Sequence, residues 1–279
     1  MTGSRRPTWQ KFPAESLRRL FDAVEVNDIV DAHVTLPDPI VLACPEESIR
    51  QCYALCLQFW EDGFARADAL RLVEKLLRNE GLSADERLEF KYIRARYKHL
   101  RFAQRLYSKH HVSDYLFDRT TRQLGKLQDG FRSGRRSGIV RSGLKLRVLL
   151  SKPVWWVVQR SMKNTRLASE AELIAFQKAE MLGLKRAIAG TAFAGHEFHT
   201  VRKIVSMQVS FYDTLRTLGP NDHAFRMSRF LAAINGLMGS RHDEMVAEAL
   251  SGRRHYDTPA PLATETRSRL ETLIARYPL

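Results

Sequence analysis

Apolar residues recur at helical spacing along almost the whole chain. Leu17, Leu20, Phe21 and Val24 predict an amphipathic helix over 13–26. Pro37, Pro39 and Pro45 then punctuate a loop. Helices are predicted over 46–60 and 64–78, the second stopping near Gly81. Ser83 and Glu86 have the spacing of a capping box and open a long helix to about Lys109. A further helix covers about 112–129, and the Gly/Ser/Arg passage 130–143 reads as a flexible basic loop. Helical pattern resumes through Trp155 and Trp156, entered at Pro153. Ser169 with Glu172 caps a helix to about Ala192, and another runs over 195–217 and stops at Gly219-Pro220. Asn221 caps a helix from Asp222 to about Leu250, and a last short one lies beyond Pro261. No stretch alternates as a strand does. The pattern predicts an all-α protein of about nine or ten helices.

A chain of 279 residues with 44% hydrophobic residues can build a sizeable core in one large or two ordinary domains. Its net charge of +14 costs self-repulsion on folding and points to a polyanionic partner. Arg5 and Arg6 are not followed by the apolar run of an export signal. The most apolar stretch, 148–158, is interrupted by Lys152 and Pro153 and falls short of the ~20 residues of a membrane span. Cys44, Cys52 and Cys56 are too few for a disulfide framework, and no nearby histidine completes a zinc set. A reducing cytoplasm is the expected compartment.

The excess charge is local. Residues 91–147 carry sixteen Lys and Arg against three acids, or +13 of the +14. Lys91, Arg94, Lys98, Arg101 and Arg105 step by 3, 4, 3 and 4, so they share one face of one helix. They span about 21 Å, enough for several successive phosphates. Like-charge neighbours at this spacing destabilise the helix by roughly 1–2 kcal/mol in sum. No acid lies between Glu89 and Asp114 to relieve them. Phe90, Ile93, Tyr97, Leu100 and Tyr107 form a separate apolar stripe. The next helix adds Arg119, Arg122 and Lys126 at steps of 3 and 4. Arginine predominates, and its fork matches phosphate oxygens in pairs.

One pattern occurs twice. Lys91-Tyr92-Ile93-Arg94 is followed, after a helix, by Leu124-Gly125-Lys126-Leu127-Gln128-Asp129. His199-Thr200-Val201-Arg202 is followed in the same way by Met238-Gly239-Ser240-Arg241-His242-Asp243. The arginines lie 108 residues apart and the aspartates 114. This pair resembles the CHAD domain, the conserved-histidine α-helical domain, whose signature runs H-x-x-R-x-x-x-[RK]-x-L-R and later L-G-x-x-R-D. Arg94, Lys98, Leu100 and Arg101 match in the first copy, with Lys91 at the histidine place and Gln128 for arginine. His199 and Arg202 match in the second, while Ser206 and Val209 replace the later basic positions and His242 replaces arginine.

The resemblance implies two pseudo-symmetric four-helix bundles over 63–276, repeat one about 63–165 and repeat two about 166–276; residues 1–62 have no place in it and are read as an N-terminal helical extension. It implies binding of inorganic polyphosphate in a basic helix-lined groove, without catalysis. No cofactor is expected, and association with polyphosphate granules is motivated by the Trp155–Trp156 segment. The expected binding residues are Lys91, Arg94, Lys98, Arg101, Arg105, Arg122, Lys126, His199, Arg202 and Lys203. Asp129 and Asp243 are expected to orient arginines from behind.

Other constellations are weaker. His196 and His199 lack a third metal ligand, and His242-Asp243-Glu244 is better read as helix packing than as acid–base chemistry. Gly134, Gly138 and Gly143 are not followed by the G-K-[ST] of a phosphate loop. Two alternatives stay open. The same charge suits RNA or DNA, although Tyr97 lies off the basic face and offers no stacking there. Trp155 and Trp156, flanked by Lys152 and Arg160, suit a granule or membrane surface, against a bundle-core role.

Overall fold

The computed structural model describes residues 9–279. The basic start with Arg5 and Arg6, where no export signal was expected, lies outside the described residues. The chain forms α1 (Ala14–Glu25), α2 (Glu46–Glu61), α3 (Arg66–Leu77), α4 (Ala84–Tyr107), α5 (Tyr115–Arg132) and α6 (Arg136–Leu149). There follow α7 (Lys152–Lys163), α8 (Glu170–Ile188), α9 (Gly195–Leu218), α10 (Asp222–Leu250) and α11 (Thr264–Arg276). Among the described residues no strand forms, only the isolated bridges Ser108–Leu167 and Phe193–Ala260. The protein is all-α.

Two compact units divide the chain. The first joins the described residues up to Pro13 to Arg50–Ala168, and the second joins Ala14–Ile49 to Ser169–Leu279. Residues 14–49 and 50–62, read from the sequence within one N-terminal extension, therefore fall in different units.

In the first unit an aromatic cluster collects the helices. Trp60 of α2 stands edge-on to Tyr97 of α4 at 5.7 Å and to Phe117 of α5 at 5.4 Å. It also lies 4.9 Å from Trp155 of α7. Tyr97 and Phe117 stack at 5.0 Å. Trp155 is half-buried against this cluster, whereas Trp156 is 60% exposed, so the tryptophan pair divides between the two roles the sequence allowed. Cys52 and Cys56 are buried in α2, as their apolar setting predicts.

Local signals set the helix ends. Ser83 and Glu86 make the capping box of α4, and Ser169 and Glu172 that of α8. Asp114 caps α5 and Asn221 caps α10, each accepting a main-chain N–H three residues on. Pro153 lies in the first turn of α7, where its missing N–H costs nothing. The eighth helix ends at Ile188, about a turn before the expected Ala192, because Phe193 leaves to pair with Ala260.

The passage 130–143 departs from its expected loop. From Arg136 onward it is helix, which brings the count among the described residues to eleven. Ile139, Ser142, Gly143, Leu146 and Leu149 are the buried face of α6, which packs on α3 and α5. Gly143 is a contact point rather than a hinge: a Cβ there would come 2.7 Å from Leu77 Cδ2. Arg136 is structural too, donating to the Leu76 carbonyl at 2.6 Å and to the Leu77 carbonyl at the end of α3.

In the second unit α9 and α10 form the central pair, with α1, α8 and α11 against them. Ser206 donates to Asn235 at 2.7 Å across the pair, and Ser228 donates to Asp213 at 2.6 Å. Arginines of α10 hold the extended segment after α1. Arg229 donates to the Val26 carbonyl and Arg226 to the Leu36 carbonyl, both at 2.8 Å. Cys44 N–H donates to Glu170 at 2.9 Å, and burial with that carboxylate nearby pushes the Cys44 thiol up to about 12.

Gly143→Val should lower stability by about 2 kcal/mol through overpacking against Leu77. Urea unfolding followed by circular dichroism measures this, and native helical content should be unchanged.

Candidate functional site

The basic residues of α4 and α5 lie in the first unit and form a face there. Lys91, Arg122 and Lys126 are exposed, while Arg94, Lys98, Arg101 and Arg105 are half-buried. The buried stripe Phe90, Ile93, Tyr97 and Leu100 occupies the other side of α4, as the spacing predicts.

Arg101 is the centre of this face. Its side chain is 14% exposed, and its guanidinium lies 3.6 Å from Asp118 of α5. Burial disfavours its positive charge most. Asp118 favours the charge, while Arg122, Arg105 and Arg94 disfavour it. Asp118 is shared, since it also accepts from Arg122 Nε at 2.6 Å. One carboxylate therefore lies against two guanidiniums, those of Arg101 and Arg122. Asp118 is the acid placed against Arg101 and Arg122. Asp129 is exposed near the end of α5 and meets Ser133 through its main-chain carbonyl.

The sequence reasoning passed over Asp118, although its position four residues before Arg122 was a usable signal. Tyr115 was passed over as well. It is 68% exposed at the start of α5 and accepts from Arg119 at 2.6 Å. Tyr115, Arg119, Arg122 and Lys126 step by 4, 3 and 4 along one stripe.

The repeated motif has a structural counterpart inside each unit. In the first, a Cβ on Gly125 would sit 3.7 Å from Arg94 Nε. In the second, a Cβ on Gly239 would sit 3.1 Å from Arg202 Nη2. The approach is tight only at Gly239, where a side chain would crowd Arg202; at Gly125 it would make ordinary contact with Arg94.

The electrostatics differ between the two. Burial disfavours the charge of Arg202, but Asp243, Asp28 and Tyr256 all favour it. The His199 and His242 rings are 6.2 Å apart, and His242 Nδ1 is 3.5 Å from Asp243. His199 is exposed and Lys203 half-buried. Among the described residues no group of three or more His, Cys, Asp or Glu side chains could hold a metal ion.

Most other cations of the first unit have structural partners. Arg147 pairs with Glu74 at 2.8 Å and Lys163 with Glu61 at 2.9 Å. Arg96 lies over the Phe59 ring at 5.1 Å. A cavity of about 400 Å³, walled by Trp9, Gln58, Glu61, Trp156 and Arg160, opens beside the Lys163–Glu61 pair. No family model, curated protein or solved structure matches this chain.

His99, on the buried side of α4, stands edge-on to Phe59 at 5.7 Å. Burial, helped by the Lys98 ammonium, pulls its pKa from 6.5 down to about 3. The unfolded chain protonates this ring near 6.5 and the folded chain does not. The stability tied to neutral His99 is therefore complete above that pH and is lost progressively as pH falls toward 3. His99→Phe should flatten the fall, seen as a smaller change in urea midpoint between neutral and acidic buffer.

Proposed function

We propose that the protein binds inorganic polyphosphate along the α4–α5 face of its first unit, without chemical conversion, as its resemblance to CHAD domains implies. The observation that carries this reading is the setting of Arg101. A half-buried guanidinium whose positive charge Asp118 favours, and Arg122, Arg105 and Arg94 disfavour, is an arrangement that a bound chain of phosphates would relieve. Lys91 and Lys98 continue the track at one end of it, and Lys126 flanks it on α5.

Arg202 is a poorer candidate for the main contact, because two carboxylates and a phenol already favour its charge. His199, Arg202 and Lys203 belong to the second unit and form no part of this face. Asp118 acts as a pivot that holds Arg101 and Arg122 in place and not as a ligand.

A second reading, single-stranded nucleic acid, draws its support from Tyr115. An exposed ring at the end of the Arg119, Arg122 and Lys126 stripe could stack a base beside a phosphate track. Tyr115→Ala separates the two: it should weaken oligonucleotide binding if bases stack there and leave polyphosphate binding untouched.

The exposed triple variant Lys91→Glu, Arg122→Glu and Lys126→Glu should reduce polyphosphate affinity at least about a hundredfold at low salt, with helicity preserved. For the unaltered chain, log affinity should fall with log salt by about 0.7 per phosphate contact, as for single strands. Unchanged affinity in the folded triple variant would sink the reading.

A further inference from the structure

Residues 130–169 contain ten Lys and Arg and no Asp or Glu. Several of these cations are engaged within the first unit: Arg136 by the end of α3, Arg147 by Glu74 and Lys163 by Glu61. Arg141, Lys145, Lys152 and Arg160 are instead exposed. Large apolar side chains stand exposed among them. On α6 these are Leu144 at 49% and Val148 at 64%, and on α7 Trp156 at 60% and Val157 at 46%.

The arrangement is periodic. Arg141, Leu144, Lys145 and Val148 lie on one side of α6, opposite the buried Ile139, Gly143 and Leu146. Lys152, Trp156 and Arg160 step by 4 along α7, whose buried side holds Val158 and Met162. The two helices meet at Leu150-Ser151, so Val148 and Lys152 flank the junction. Arg160 lies over the Trp156 ring at 5.5 Å. Each helix thus has a core-facing side and a second side that mixes apolar and cationic residues without acids. Solvated faces of soluble bundles interleave both charge signs and seldom expose such side chains together.

We propose that this α6–α7 face docks onto an anionic lipid surface. Leu144, Val148, Trp156 and Val157 enter the interfacial layer, and Arg141, Lys145, Lys152 and Arg160 meet the lipid phosphates. The absence of acids through 130–169 supplies the charge complementarity, and a tryptophan at the rim suits the headgroup level. Among the described residues no helix is long and apolar enough to cross a membrane, and the proposed contact is peripheral. This inference is independent of the polyphosphate reading, which uses other helices.

The test is co-sedimentation of the full chain with phosphatidylcholine vesicles, with and without about a third phosphatidylserine. Binding is expected to the mixed vesicles and not to the neutral ones. Trp156→Ser with Val148→Ser, both at exposed positions, should weaken binding at least about tenfold, and Arg141→Glu with Lys145→Glu should weaken it similarly. The triple variant at Lys91, Arg122 and Lys126 should still bind. The inference is overturned if the chain ignores the mixed vesicles, or if the Trp156→Ser, Val148→Ser variant binds as the unaltered chain does. Loss of binding in the Lys91, Arg122, Lys126 variant alone also overturns it, because adsorption would then run through α4 and α5.

Discussion

Five cations can share one face of a helix only if its other face holds it in place. On α4 the repulsion among Lys91, Arg94, Lys98, Arg101 and Arg105 costs roughly 1–2 kcal/mol. Burial of a single large apolar side chain contributes about as much or more, and Phe90, Ile93, Tyr97 and Leu100 are all buried. The apolar stripe therefore outweighs the repulsion several times over. The aromatic cluster of Trp60, Tyr97 and Phe117 then fixes where the charges stand, because it anchors α4 and α5 together from the side away from the cations. The arrangement stores unfavourable charge at the surface and holds it there by packing beneath.

What separates the α4–α5 face from the protein's other arginines is the balance of neighbours. Arg136, Arg226 and Arg229 end on main-chain carbonyls and serve the fold. Arg202 lies among carboxylates. Arg101 alone of these is surrounded mainly by its own kind. Charge count located the basic segment, but the neighbours of each charge distinguish its members.

The helices were largely legible in the sequence, because capping residues and a 3.6-residue period are local signals. Ser83 with Glu86 and Ser169 with Glu172 appear in the structure as read. The sixth helix was not legible in the same way. Glycine and serine between arginines suggest a loop when taken alone, and only the approach of Leu77 to Gly143 gives that glycine its role in packing. Asp118 was hidden for a related reason: its meaning depends on Arg101, seventeen residues earlier on another helix. The two tryptophans show the limit from the other side. Adjacent positions on a helix point about 100° apart, so one joins Trp60 and the other meets solvent. The repeated motif brings an arginine against a glycine in each copy, Arg94 on Gly125 and Arg202 on Gly239, although the two lie far apart in sequence.

The central claim is that the guanidiniums around Arg101 meet phosphate directly. Two-dimensional NMR of the arginine Nε–Hε groups, during titration with a short linear polyphosphate, observes those atoms themselves. Signals of Arg94, Arg101, Arg105 and Arg122 should shift together and saturably, ahead of that of Arg202. If those four stay in place while the ligand binds, or if Arg202 responds first, the account of this face is wrong.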